Sequence, residues 1–259
     1  MSLQFHVEHY DLVGSTNDLA RDRANDGAVA GLVIRADRQT AGRGRRGRAW
    51  SSPPGNLYCS LVLRPEQPAA TIATLSFVTV IALGDVLCDL LPQRAVQHKW
   101  PNDLLVDGRK ISGILLESAG GAPQEAPALV IGLGVNIVSH PDQALYPVTD
   151  MVEQGAAPMS AADLLDRFLL RFAHHYAVWQ EGGFTAVLPA WRQRAVGIGA
   201  DIVVRLATET LTGRFVDLDS DGTLLLALPD GAMKRIAAGD IFLPGTMTAT
   251  EARADKLGV

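Results

Sequence analysis

Residues 98–117, HKWPNDLLVDGRKISGILLE, combine a tight-turn signal with apolar runs on both sides. The runs 104–106 and 111–116 flank Asp107-Gly108, a dipeptide typical of two-residue turns between antiparallel strands. Residues 96–100, VQHKW, predict a further strand that closes at Pro101-Asn102, where proline interrupts strand pairing. The stretch therefore predicts three successive strands, with Lys110 placed just after the turn.

The segments on either side extend this sheet. The hydrophobic pattern predicts further strands at 31–36, 56–63 and 128–137, and helices at 19–25 and about 71–91. Ser160 precedes a helix whose apolar face carries Leu164, Leu165, Phe168, Phe172, Tyr176 and Trp179. We expect an α/β (α+β) domain with a mixed sheet and flanking helices over residues 1–196.

The hydrophobic pattern changes after about residue 197, where the apolar runs become short. Short runs at 201–206, 211–218, 223–228 and 233–236 are spaced as in a small β-barrel. We assign residues 197–245 to this second domain and 246–259 to a tail. Asp217, Asp219 and Asp221 imitate the start of a calcium loop, but Leu228 stands where that loop needs glutamate. A hairpin turn is the better interpretation.

Composition narrows the class of protein. The chain has 259 residues, of which 47% are hydrophobic and 20% charged, which is ample for a buried core and excludes a mostly disordered chain. The net charge of −5 gives no general attraction for nucleic acid. Cys59 and Cys88 are too few to staple a secreted scaffold, so we expect a reducing compartment, the cytoplasm.

Residues 67–84 carry no charge and approach the length of a membrane span. The segment also contains Pro68, three threonines and a serine, which favours a helix buried in a protein core. Because no basic segment followed by an apolar one opens the chain, we expect no secretory signal and no membrane partner.

A cationic loop interrupts the acidic background. Six of the 23 basic residues fall within 35–48, where Arg43, Arg45, Arg46 and Arg48 alternate with glycines. Residues 42–47 spell G-x-G-x-x-G, but the continuation AWSSPPG cannot begin the helix that a dinucleotide fold requires. We therefore predict a flexible loop whose arginines bind an anion, and phosphate is the natural candidate.

Five blocks together resemble the biotin protein ligases. They are STND at 15–18, QTAGRGRRGRAW at 39–50, KWPNDL at 99–104, GRKISGILLE at 108–117 and GLGVNI at 132–137. The resemblance covers about residues 11–245 and implies a catalytic domain of the biotin/lipoate ligase type followed by an SH3-like barrel. It also implies that ATP and Mg²⁺ activate biotin as biotinyl-5′-AMP, and that biotin then passes to a lysine of the carboxyl carrier protein of acetyl-CoA carboxylase.

The same resemblance implies roles for individual residues. As catalytic residues it indicates Lys110 and Arg45. The biotin-binding set is Ser15, Thr16, Asn17, Gln39, Arg43, Gly44, Arg45, Lys110 and Gly113. The set for ATP and the adenylate is Arg43, Arg45, Arg46, Trp50, Lys99, Asn102, Lys110 and Asn136. Asp103 is implied to orient the incoming amine or the metal, and no metal ligand is assigned.

Other functions stay open on the sequence. A lipoate or octanoate ligase shares fold and chemistry, although the arginine loop and KWPND favour the biotin branch. A biotin-sensing DNA-binding regulator needs a helix-turn-helix domain, and the 14 residues before Ser15 are too few for one, so we expect no DNA partner. A binding module built on the barrel is a further alternative. The oligomeric state also stays open, since the resemblance implies that a homodimer could form through sheet edges.

Overall fold

Two sheets organise the chain in this computed structural model, which describes residues 3–120, 128–142, 144 and 146–243. The first part contains β1 (His6–Tyr10), α1 (Thr16–Asn25), β2 (Leu32–Ala36), β3 (Leu57–Leu63), α2 (Ala69–Ala73), α3 (Leu75–Leu90), β4 (Val96–Lys99), β5 (Asp103–Val106), β6 (Arg109–Ala119), β7 (Ala128–Val135) and α4 (Ala161–Arg192). The second part contains β8 (Asp201–Arg205), β9 (Thr210–Leu218), β10 (Leu224–Ala227), β11 (Met233–Ile236) and β12 (Asp240–Phe242).

The first sheet is mixed, in the order β1-β2-β3-β7-β6-β5-β4. Only β1 and β2 run parallel, and the other described pairs are antiparallel. The three strands predicted around the turn are confirmed as β4, β5 and β6. Asp107 and Gly108 both have positive φ, 49° and 75°, as a tight turn between twisted strands requires.

Helices cover both faces of this sheet. On one face α3 and α4 form the main core, and on the other α1 lies over β2, β3 and β7. The segment Ala69–Leu90 is long and apolar enough to cross a membrane, but 72% of its most apolar window is buried inside the protein. This agrees with the predicted core helix, which is further anchored where Trp179 Nε1 donates to Thr74 Oγ1 at 2.8 Å.

The second sheet is antiparallel, in the order β11-β10-β9-β8-β12. Its four predicted strands are confirmed, and its arrangement is consistent with an SH3-like barrel. Among the described residues the edge strands β11 and β12 do not pair, so the barrel is not closed. Asp219 and Asp221 lie at the turn after β9 and pair with Arg235, as expected for a hairpin and not for a calcium loop.

Two strands and one helix boundary differ from the prediction. β1 and β12 are short, and β1 is largely exposed, so neither shows an apolar pattern. Helix α1 begins at Thr16, three residues before its predicted start, because the Ser15 side chain caps it by accepting from Asp18 N. The division at 196/197 stays a prediction, and the predicted tail lies outside the described residues.

Candidate active site

A cleft opens between the first sheet, the arginine loop and strand β12. It encloses about 910 Å³ of empty space, including the part open to solvent, and polar and apolar side chains both line it. Lining side chains come from the first turn of α1, from β6 and β7, and from the second sheet. Residues far apart in sequence therefore meet around one cavity.

One wall of the cleft is a cluster of short polar groups. Ser60 Oγ lies 2.8 Å from Thr16 Oγ1 and 2.6 Å from Asn17 Oδ1, and all three side chains are buried. Asn17 Nδ2 donates to Glu117 Oε2 at 2.7 Å. Because the first turn of α1 holds Thr16 and Asn17 rigidly, their polar atoms are fixed before any ligand arrives.

Gln39 closes this wall from the loop side. Its Oε1 accepts from Thr16 N at 2.9 Å and lies 3.1 Å from Thr16 Oγ1, while its Nε2 donates to Ser52 Oγ at 2.9 Å. The amide orientation of Gln39 is thus set from both ends.

The glycines of β6 and β7 make room for neighbouring side chains. A Cβ on Gly132 would lie 2.1 Å from Asn17 Oδ1, and one on Gly134 would lie 2.6 Å from Trp50 Cε2. Gly113 faces Trp50 and Lys110, each 3.2 Å from the position of its absent Cβ. The groups that approach Gly132 and Gly134 are therefore the side chains of Asn17 and Trp50.

Lys110 reaches the cleft from the start of β6. The pairing of β5 with β6 shifts register between Leu104 and Leu105, which face Ser112 and Lys110, so Ile111 is an extra residue. Such a bulge redirects the neighbouring side chains. Lys110 Nζ lies 2.7 Å from Asp103 Oδ1 and 3.4 Å from the Tyr146 hydroxyl.

Lys110 stays protonated although its side chain is buried. Burial alone lowers the pKa of Lys110, but the attraction of Asp103, aided by Tyr146, outweighs it and leaves the pKa raised. The ammonium also lies 5.6 Å from the centre of the Trp50 ring and 5.0 Å from that of Tyr146. The site therefore holds a fixed cation at neutral pH.

The arginine loop is folded back on protein oxygens. As expected, no α-helix follows its glycines, and residues Arg45–Gly47 form a single 3-10 turn. Arg43 forms two short bonds to Asp18, at 2.6 and 2.8 Å, and these hold the pKa of that carboxyl below its usual value. Arg45 donates to Asn102 Oδ1 at 3.0 Å, and burial lowers its pKa.

This arrangement can bind an organic acid and a nucleotide side by side. The polar wall suits a small heterocycle, Lys110 suits a carboxylate, and the loop suits phosphates. Residues 10–136 match the biotin/lipoate A/B protein ligase family, and residues 197–243 match the biotin protein ligase C-terminal domain. The biotin–[acetyl-CoA-carboxylase] ligase of Paracoccus denitrificans is 39% identical over 82% of this chain and 90% of its own length. The chain belongs to the biotin protein ligase family.

Further relatives agree with this membership. The bifunctional ligase/repressor of Bacillus spizizenii is 32% identical over 92% of the chain and 74% of its own length. A solved biotin protein ligase from Aquifex aeolicus, in complex with biotin and ATP, superposes with a TM-score of 0.79 at 25% identity. It covers 92% of this chain and 98% of its own, so both sheets belong to the shared fold.

In this biotin protein ligase, the cleft gathers most of the residues that the sequence indicated. Those that line it are Ser15, Thr16, Asn17, Gln39, Arg43, Gly44, Arg45, Trp50, Lys99, Asn102, Lys110 and Gly113. Arg46 and Asn136 do not. Arg46 points to the second sheet, and the buried Asn136 Nδ2 donates to Thr149 O beside an adjoining cavity behind Trp50.

Tyr146 and the whole of strand β12 also line the cleft, although the sequence did not indicate them. Tyr146 lies in a loop without a motif, and Asp240, Ile241 and Phe242 make up the unpredicted β12. Lys99 Nζ lies 5.5 Å from the centre of the Phe242 ring and 5.8 Å from that of Tyr146. The apolar pair at 241–242 is too short to predict a strand, so no local sequence signal marks these residues.

Proposed function

We propose that this chain is an ATP-dependent ligase that activates biotin as biotinyl-5′-AMP and transfers it to a lysine of a biotin carboxyl carrier protein. The observation that carries the proposal is the buried Lys110 cation, set between the polar wall and the arginine loop. The relatives support it, since one is named a biotin–[acetyl-CoA-carboxylase] ligase and a solved structure holds biotin and ATP.

Biotin binding uses the polar wall. The ureido group of biotin offers both donors and an acceptor, and Ser15, Thr16, Asn17 and Gln39 present short, pre-positioned partners. Gly113, without a side chain, lets Trp50 and Lys110 lie close beside the chain that leads to the biotin carboxylate. This carboxylate then lies toward Lys110.

Activation joins two anions. A biotin carboxylate oxygen attacks the α-phosphorus of ATP, the bond to the β-phosphate oxygen breaks, and pyrophosphate leaves. Lys110, protonated, attracts the carboxylate and the α-phosphate and stabilises the negative charge of the transition state. Arg43 and Arg45, with Gly44 between them, supply further positive charge from the loop.

The nucleotide occupies the loop side of the cleft. Trp50 offers its aromatic face to the adenine, and Lys99 and Asn102 lie near enough to bind adenylate oxygens. Arg46 and Asn136 need a movement to contribute, because they do not line the cleft.

Transfer follows from the mixed anhydride. The neutral amine of the carrier lysine attacks the biotinyl carbonyl carbon, an amide bond forms, AMP leaves with the electron pair, and the amine loses one proton to solvent. Asp103, beside Lys110, is the carboxylate placed to orient that amine.

Mg²⁺ fits this site as an ion carried by ATP. Among the described residues, the carboxylates lining the cleft are Asp103 and Asp240, which are paired with Lys110 and with arginines. Mg²⁺ commonly keeps several waters and binds substrate phosphates with few protein ligands. When bound, it would neutralise phosphate charge, and Asp103, which lies beside Lys110, would be the carboxylate that helps to hold it.

Transfer of labelled biotin to a carrier domain tests the function. We expect label on the carrier only with ATP and biotin together, and none with lipoate or octanoate. Label from lipoate instead of biotin would identify the lipoate branch, and the absence of both would contradict the ligase proposal.

The remaining assignments are also proposals. The free Cys59 and Cys88 agree with a reducing compartment, so we propose a cytoplasmic enzyme whose protein partner is the carrier. Homodimer formation stays a prediction, which the molar mass in solution will decide.

A further inference from the structure

One carboxylate of the second sheet, that of Asp240, forms ion pairs with several arginines of the loop. Arg48 Nη2 lies 3.0 and 3.1 Å from the two oxygens of Asp240, and Arg46 Nη1 lies 3.3 Å from Oδ2. Arg45 Nη1 lies 3.9 Å from Asp240 Oδ1 and donates to Gly239 O at 3.3 Å. Three guanidinium groups thus converge on a single acid.

The Asp240 carboxylate faces the nucleotide side of the cleft. It lines the same cavity as Lys110 and Lys99, and its side chain is only 19% exposed. A polyphosphate in that cavity is repelled by a carboxylate and attracted by the same arginines that the carboxylate holds. Asp240 and the phosphates of ATP therefore compete for one set of cations.

The backbone of the loop points to the same competition. Arg46 has φ 57° and ψ 30°, a left-handed conformation that costs free energy for a non-glycine residue. Its described side-chain partners, Asp240 and the Arg205 carbonyl, both belong to the second sheet. These contacts hold the Arg46 guanidinium on the second sheet and away from the cleft.

We propose that Asp240 is a positioning residue that lowers the affinity for ATP, because the nucleotide must take Arg45, Arg46 and Arg48 from it. Binding of the triphosphate exchanges the carboxylate for phosphate oxygens and loosens the contact between loop and second sheet. This inference rests on the proposed function, since it concerns the ATP side of the same cleft.

A second ion pair between the first part of the chain and the second sheet provides a matched control. Arg192, at the end of α4, binds Asp217 of β9 through bonds of 2.9 and 2.7 Å, outside the cleft lining. Like Asp240, Asp217 joins the second sheet to the first part of the chain. Losing the Asp217 pair loosens that junction without changing the charge in the cleft.

The experiment measures pyrophosphate release in full-length variants, with ATP varied at saturating biotin and with biotin varied at saturating ATP. Calorimetry measures ATP binding to the same variants. For Asp240→Asn we expect the KM and Kd for ATP to fall roughly 3- to 10-fold, the range of a half-buried charge interaction, with the KM for biotin unchanged. Asp240→Glu, which keeps the charge, returns the ATP values close to those of the unsubstituted chain. Asp217→Asn leaves them unchanged.

The outcomes separate the two proposals. ATP affinity that is unchanged or weaker in Asp240→Asn overturns the competition, as does an equal effect of Asp217→Asn. If Asp240→Asn does not fold, judged by its melting temperature, Asp240→Ser serves as a second uncharged variant. A chain that releases no pyrophosphate even without substitution contradicts the ligase function instead.

Discussion

Lys110 stays protonated although it is almost fully buried, because an acid and two aromatic rings surround its ammonium group. Its side chain is only 11% exposed, and Asp103 lies 2.7 Å away. A cation fixed in this way needs no reorganisation when negative charge develops beside it, which is the main source of electrostatic catalysis.

Lys110→Ala tests this role. We expect adenylate formation to fall about 10²- to 10³-fold, as when a fixed transition-state stabiliser is removed, while much of the biotin binding persists. Pyrophosphate release measures the first quantity and calorimetry with biotin the second. Lys234→Ala, at an exposed ion pair on β11, is the control. Full adenylation by Lys110→Ala removes this lysine from the mechanism.

Gly132 is a second residue with a testable role, because the Asn17 side chain leaves no room for a side chain at this position. In Gly132→Ala the new Cβ meets Asn17 Oδ1 at 2.1 Å, so the polar wall must shift. We expect biotin affinity to fall by at least about tenfold and the protein to lose about 1–3 kcal/mol of stability. Gly120→Ala, whose Cβ meets only one atom at 4.0 Å, is the control. Equal biotin affinities in the two variants contradict the assignment.

At the scale of elements, the arginine loop differs from the strands beside it. It contains one 3-10 turn and one isolated bridge, Arg43 to Ala49, and four of its arginines form ion pairs with acids outside the loop. Ion pairs exchange partners readily, so such a segment responds to an anionic ligand.

Hydrogen exchange of residues 41–52 measures that response. With biotin and ATP we expect exchange there to slow about tenfold or more, because the loop orders over the adenylate and shields the anhydride from water. The turn at residues 219–222, at the far hairpin, is the internal control and keeps its rate. Unchanged exchange across 41–52 would falsify the closing of the loop.

At the scale of the whole molecule, His98 ties three packed elements together. Its Nδ1 donates to the Trp191 carbonyl at 3.0 Å, its Nε2 faces Gly84 of α3 without a partner, and its backbone bonds Arg194 O. Burial lowers the pKa of His98 to about 4, from about 6.5, with Arg194 and His175 adding to the effect and Asp85 opposing it.

A neutral buried histidine makes stability depend on pH. Because the pKa is lower in the folded state, the unfolded chain takes up the proton first, and stability is lost as the pH falls from about 6.5 to about 4. We expect a loss of roughly 3 kcal/mol in the free energy of unfolding across that range. Urea titrations at several pH values measure it.

His98→Asn is the comparison for this titration. Without the imidazole, the slope between pH 6.5 and 4 should flatten, although the variant is less stable at pH 7 because packing is lost. The Asp85 carboxyl does not confuse the result: its pKa, which burial raises, is pulled to about 2 by His175 and Arg194, so its contribution is lost mainly below that range. Equal slopes in both proteins would rule out His98.

Local sequence was sufficient for most of the elements and for much of the site. Turn pairs such as Asp107-Gly108, helix caps such as Ser160 and alternating apolar runs act within a few residues. The strands around Lys110 and four of the five strands of the second sheet were therefore predictable. The five family blocks likewise indicated most of the residues that line the cleft.

Tertiary structure alone assigned partners to those residues. The sequence presents the loop arginines as available for phosphate, but folding brings Asp18, Glu117 and Asp240 against them from distant positions. Tyr146 and β12 carry no local pattern, because they are specified by contacts across the fold and not by neighbours in the chain. Charge and hydrophobicity patterns therefore established which groups the protein has, while long-range packing established which of them meet, since that depends on sheet order and register.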